Sequence, residues 1–166
     1  MRWPRFRRWL VAVAGALLVG SIVGLSAAAG WFYWDRVQTR GEQATRAELP
    51  GLAAKRIPEV FAYDYQTVER SLADAYPLLT PDYRQEFKKS ANTQIIPEAK
   101  KREVVVQANV VGVGVMTAKR DSASVMVYMN RTVTDKSRQP LYDGSRLRVD
   151  FKKIDKQWLI AYITPI

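Results

Sequence analysis

The chain has 166 residues, 48% of them hydrophobic, and carries 26 Lys and Arg against 16 Asp and Glu, for a formal net charge of +10. That length holds one ordinary domain, and the lack of any cysteine or histidine excludes disulfides, thiolate or imidazole metal centres, cysteine nucleophiles and Ser-His-Asp triads. Lys88-Lys89, Lys100-Lys101-Arg102 and Lys152-Lys153 are interleaved with acids and match no nucleic-acid-binding signature, so they are expected to be solvated faces, with no nucleic acid as partner.

Residues 1–8 form a basic tail with Arg2, Arg5, Arg7 and Arg8. No charged residue follows from Trp9 to Trp34, and a 26-residue helix spans about 39 Å at a rise of ~1.5 Å per residue, enough to cross a ~30 Å hydrocarbon core with some tilt. Trp3 and Trp9 mark one end of the predicted span at residues 9–34, and Trp31 to Trp34 the other, where aromatic rings favour the headgroup boundary. The four arginines predict a cytoplasmic N-terminus and an extracytoplasmic C-terminal domain at the cell (inner) membrane, because charges just beyond Trp34 nearly balance. Ala27-Ala28-Ala29 also makes an acceptable signal-peptide cleavage site, and Arg7-Arg8 loosely suggests a twin-arginine signal. The apolar run from Leu10 to Phe32 exceeds the ~7–15 residues of a secretory leader, which favours a retained anchor. Within it Ala12, Ala16, Gly20, Gly24 and Ala28 recur at every fourth position, a stripe of small residues that lets a second membrane helix approach closely.

Residues 35–50 are polar and helix-favouring and are expected to form a juxtamembrane stalk that Pro50-Gly51 ends. Residues 51–166 are then the extracytoplasmic domain. Leu52 to Tyr65 is helical in pattern but interrupted at Pro58, and Thr67 is placed to cap a helix whose Val68, Leu72, Ala75, Tyr76 and Leu79 share one face. Pro77 is expected to kink or shorten it. Thr80-Pro81-Asp82 is a second helix start, carrying Tyr83 and Phe87 on one side and running to about Gln94.

Past Arg102 the hydrophobic period changes to two. Val104 to Met116, Ala123 to Val133, Arg146 to Ile154 and Trp158 to Ile163 are expected as four antiparallel strands, with Val125, Val127, Met129, Leu147, Val149 and Phe151 facing inward. Helices first and strands afterwards give an α+β class, with the helices packed on one face of a curved sheet. Trp158 is expected between the sheet and the helix that begins at Pro81.

Phe61-Ala62-Tyr63-Asp64-Tyr65, Leu79-Thr80-Pro81-Asp82-Tyr83-Arg84, the lone Pro97, Asp143 to Leu147 and Trp158-Leu159 to Thr164-Pro165 occur in an order and spacing that resemble the Mce-associated membrane proteins of actinobacteria. The resemblance implies a cone-shaped domain similar to the nuclear transport factor and SnoaL-like group. It also implies an accessory subunit of a lipid importer, with Mce proteins or permease subunits of an ABC-type machine as partners, the lipid bilayer as surroundings and no cofactor. One departure is the last hairpin, where Asp155-Lys156 stands in place of Asp-Gly, so Lys156 would occupy a position needing positive φ.

Two other classes compete with this non-catalytic reading. A cone can hold a small molecule or lipid and act as an isomerase-like protein, with Asp64 as base and Tyr63 or Tyr65 as phenolic donor. The plainer assignment leaves Asp64 solvated or capping the helix near Thr67. The same architecture of one anchor and one cone also resembles the bitopic scaffold of type IV secretion systems.

Overall fold

The structure, a computed structural model, describes the backbone of residues 3–166 and the side chains of residues 20, 24–26, 29–31, 36, 37 and 39–166. It divides into two compact units, Met1–Arg40 and Gly41–Ile166. The described part of the first unit consists of residues of helix α1 (Trp3–Phe61). Among the described residues no helix is long and apolar enough to cross a membrane. The span predicted over Trp9–Trp34 rests mostly on side chains outside the described residues.

In the second unit the described residues form one antiparallel sheet in the order β1-β2-β3-β4-β5. The strands are β1 (Tyr63–Asp64), β2 (Val105–Ala118), β3 (Ser122–Thr134), β4 (Leu141–Ile154) and β5 (Gln157–Pro165), five where the sequence pattern predicts four. The additional strand is two residues long, too short for any period to register. The last four strands follow one another as a meander, because alternating apolar residues on each can share one buried face when neighbours pair antiparallel. Val125, Val127, Met129, Leu147, Val149, Phe151, Trp158 and Ile160 supply that face.

The C-terminal part of α1 fills the face. Thr45, Leu49, Ala53 and Ile57 recur every fourth residue and are buried, with Val60 continuing the stripe. The helix break predicted at Pro50-Gly51 does not occur: α1 runs through both Pro50 and Pro58 to Phe61. An interior proline costs about 3 kcal/mol, whereas each large apolar side chain taken from water returns about 1.5–3 kcal/mol. Leu49, Ile57 and Val60, all buried along the same stretch, together return enough to offset the cost of the two prolines.

Three further helices follow: α2 (Val68–Ala75), α3 (Pro81–Ser90) and α4 (Ile96–Arg102). Thr67 and Thr80 stand at the N-caps of α2 and α3, yet neither hydroxyl bonds a backbone N–H there. The α2 helix stops at Ala75, and Pro77 lies in a 3-10 turn, Tyr76–Leu78. Helical backbone does not end at Gln94: a π turn, Ala91–Ile95, leads into α4, where Pro97 sits in the first turn. Glu103 ends α4 in the left-handed region at φ 53°, and Val104 N–H returns to Ala99 O at 2.9 Å.

Candidate functional site

A groove of about 430 Å³ opens between β1 and the β2–β3–β4 end of the sheet, beside α4. Its apolar lining includes Val104, Val106, Val133, Leu141 and Tyr142, the last 76% exposed. Strand pairing positions the polar lining. Tyr63 on β1 pairs with Val106 on β2, and Arg131 on β3 lies directly across from Asp143 on β4.

The cations of the groove are already engaged. Arg131 donates through Nε to Asp143 Oδ2 at 3.1 Å and also through Nη2, while Ser145 Oγ donates to the same oxygen at 3.0 Å. Those bonds, the arginine's first, hold the Asp143 carboxyl below its ordinary range. Arg102 reaches Asp135 at 2.9 Å and Glu98 at 3.5 Å. Burial raises the Tyr63 phenol, against an opposing pull from Arg131, so at neutral pH it is a protonated donor and a poor base. With its charges mutually neutralised and its floor apolar, the groove suits contact with a side chain or loop better than proton transfer.

Of the trio singled out in sequence, only Tyr63 lines this groove. Asp64 is turned to a local task, its Oδ1 accepting Gln66 N–H at 2.9 Å while its carbonyl accepts Thr67 N–H at 2.9 Å. Tyr65 Oη accepts from Gln66 Nε2 at 3.1 Å, and its ring packs with the cluster around Val68 and Leu72. Gly20 and Gly24 of the small-residue stripe have nothing within 4 Å of an added Cβ. The side chains of Ala12, Ala16 and Ala28, and those of Arg2, Arg5, Arg7 and Arg8, lie outside the described residues. Arg131, Asp143 and Tyr142 were not legible as a group, since Asp143-Gly144 has the composition of a loop and cross-strand partners carry no local signal. Among the described residues no three acidic side chains gather to hold a metal ion.

The interior of the cone is occupied rather than hollow where α1 crosses it. Leu49, Ala53 and Ile57 belong to one buried cluster with Val125, Val127, Val149, Phe151 and Trp158. At the far edge, Leu79 forms a parallel bridge with Ile160, Thr80 N–H bonds Ile160 O at 2.9 Å, and the Tyr83 ring packs at a tilt of 56° with its centroid 5.3 Å from that of Tyr162. Burial, with a smaller contribution from Glu86, pushes the Tyr83 phenol up to about 12.

No family model matches the chain. It is 27% identical over 158 residues to outer membrane protein Rv1973 of Mycobacterium tuberculosis, covering 95% of this chain and 99% of that protein. A second protein of that organism, Rv1362c, is 27% identical over 142 residues, which is 84% of this chain and 64% of the relative. Solved structures share the fold. An IcmL-like type IV secretion system protein from Legionella pneumophila aligns at TM-score 0.62 and 15% identity over 73% of this chain and 93% of its own. The periplasmic domain of DotI aligns at 0.62 and 11%, over 72% and 94%. VirB8 of Agrobacterium tumefaciens aligns at 0.53 and 11%, over 67% and 84%. The second unit therefore has the α+β fold of the VirB8 and DotI domains, a curled sheet packed on helices. None of these relatives is named as an Mce-associated protein.

Proposed function

We propose that this chain is a non-catalytic assembly subunit of a cell-envelope transport or secretion machine. In this reading residues 9–34 anchor it in the membrane with the N-terminus cytoplasmic. The unit Gly41–Ile166 then binds partner subunits outside the cytoplasm. The observation that carries the proposal is the filled cone: Leu49, Ala53 and Ile57 occupy the space between helix and sheet that a ligand or substrate would need. The surface is then what remains for function. Likeness of fold to type IV secretion proteins supports a scaffold role, and the name of the mycobacterial relative supports an envelope location.

A lipid-import machine of the Mce type is the second reading, favoured by the segments at Phe61–Tyr65 and Leu79–Arg84. In the structure these segments close the sheet, Tyr63-Asp64 as β1 against β2 and Leu79-Thr80 against Ile160. Any machine built on this fold needs them, so they speak for the cone more than for its partners.

Copurification decides between the readings. Tagged full-length chain, extracted in mild detergent and analysed by mass spectrometry, is expected to bring down integral subunits of one envelope machine. Secretion subunits support the scaffold reading, and Mce or permease subunits the importer. Recovery of the chain alone, with a stoichiometric small molecule, would overturn both.

A further inference from the structure

The two edges of the sheet are treated differently. Strand β5 is covered by Leu79-Thr80 and by α3 through Tyr83. Strand β2 has an outer partner only where Tyr63 and Asp64 pair with Val106 and Val105. From Gln107 to Ala118 the described residues supply no second strand on that side, and no backbone bond from a turn or helix end reaches the stretch. Strand residues aim their N–H and C=O alternately to either side, so half of these groups face outward unpaired.

Exposed edges are normally blunted by charge, proline or bulges. Val105–Ala118 contains no charged residue and no proline. Its bulges, between Val110 and Gly112 and between Val115 and Thr117, leave Gly112–Val115 in unbroken register with Val125–Tyr128. Val111 and Met116 are 57% and 46% exposed, and an added Cβ at the exposed Gly114 would meet nothing within 4 Å. Between the two bulges this is an uncharged edge of valine and glycine on a chain of net charge +10.

We propose that the β2 edge pairs with the β2 edge of a second copy of this chain, antiparallel about a two-fold axis near Val113, joining two five-stranded sheets into one. Two features select a second copy as the occupant. Like charges oppose self-association over most of a basic surface, and residues 108–118 of β2, which face each other in such a pair, meet without any. The sequence Val111-Gly112-Val113-Gly114-Val115 is also the same in both directions, so an antiparallel pair centred on Val113 sets Gly112 against Gly114 of the copy and Val111 against Val115 of the copy. Such a contact is isologous and closes on itself.

The lack of native cysteine makes a thiol test unambiguous. Full-length chain carrying Val113→Cys, kept in its own membranes, is treated with a short thiol cross-linker beside Lys152→Cys, which lies on the exposed side of β4. Residues opposed across an antiparallel pair are about 4.5–5.5 Å apart at Cα, within reach of such a reagent. A product of twice the chain mass is expected from Val113→Cys and not from Lys152→Cys. Adding Val111→Lys and Met116→Lys, which place charge against the apolar strand of the copy, is expected to reduce it several-fold. The proposal is overturned by a product joining the chain to a different protein, by equal dimer from both cysteine positions, or by no product from a Val113→Cys chain whose circular dichroism matches the parent.

Discussion

The indole Nε1 of Trp158 donates to Glu48 Oε2 at 3.2 Å, joining β5 to α1 across 110 positions of sequence. Arg56, two turns further along the helix, donates to the Trp158 carbonyl, and Lys153 Nζ stands 5.1 Å above the ring. The side-chain hydrogen bonds at this tryptophan thus go to α1, while Tyr83 and Phe87 of the helix beginning at Pro81 pack against the same core. Trp158→Ala is expected to cost about 3–5 kcal/mol by loss of packing, a large share of the ~5–15 kcal/mol that holds an ordinary domain together. Trp158→Phe keeps most of the apolar area and is expected to cost less. Denaturant titration of the detergent-solubilised chain, followed by circular dichroism, measures both, and a Trp158→Ala midpoint equal to the parent's contradicts the packing described.

Leu49 separates the helix found from the stalk expected. On a solvated stalk its truncation would change stability by less than about 0.5 kcal/mol. Fully buried against the sheet, Leu49→Ala is expected to cost about 2–5 kcal/mol. Lys89→Ser, on the exposed side of α3, serves as the silent control.

The sheet was legible because a period of two survives in Val125, Val127 and Met129 and again in Leu147, Val149 and Phe151, whatever they pack against. What escaped depended on tertiary contact. Pro50 and Pro58 are local helix breakers, and only the burial of Leu49, Ala53 and Ile57 against strands that come much later in the chain overrides them. In β2 the bulge at Val111 shifts the half-buried face from Ala108 and Val110 to Val113 and Val115, so no single alternation describes the strand. The groove was illegible for a related reason. Arg131 and Asp143 belong to different strands, and only register sets them opposite each other.

Two carboxylates near the groove give an acid signature. The Arg102 guanidinium, followed by Ser137 through its hydroxyl and its N–H, holds Asp135 down at about 2, and Arg131 with Ser145 lowers Asp143. Each folded-state value lies below the ordinary ~3.9 of an unfolded aspartate. The charged form is therefore favoured by folding, so this stability is complete above about pH 4 and is lost as pH falls toward 2. Asp135→Asn with Asp143→Asn is expected to flatten the decline of melting temperature below about pH 4. Because both pairs lie near solvent, added salt is expected to shrink the difference. An acid limb identical in parent and variant would contradict the assignment.

The last hairpin offers a gain rather than a loss. Asp155 and Lys156 connect β4 to β5 with φ of 48° and 65°, so both central residues of the turn are left-handed. For a non-glycine residue that conformation costs about 1–2 kcal/mol. Glycine removes the strain, but its freer unfolded chain takes back about 0.5–1 kcal/mol. Subtraction leaves Lys156→Gly more stable than the parent by up to about 1.5 kcal/mol, which is a rise of up to several degrees in melting temperature. Lys156→Ala keeps the Cβ and is expected to gain little, while Lys156→Val adds branching at a left-handed position and is expected to lose stability. Thermal melts of the three variants supply the order Gly above parent above Val. A valine variant as stable as the parent would mean that the turn relaxes to another type, and the register from Ile154 and Gln157 onward would have to change with it.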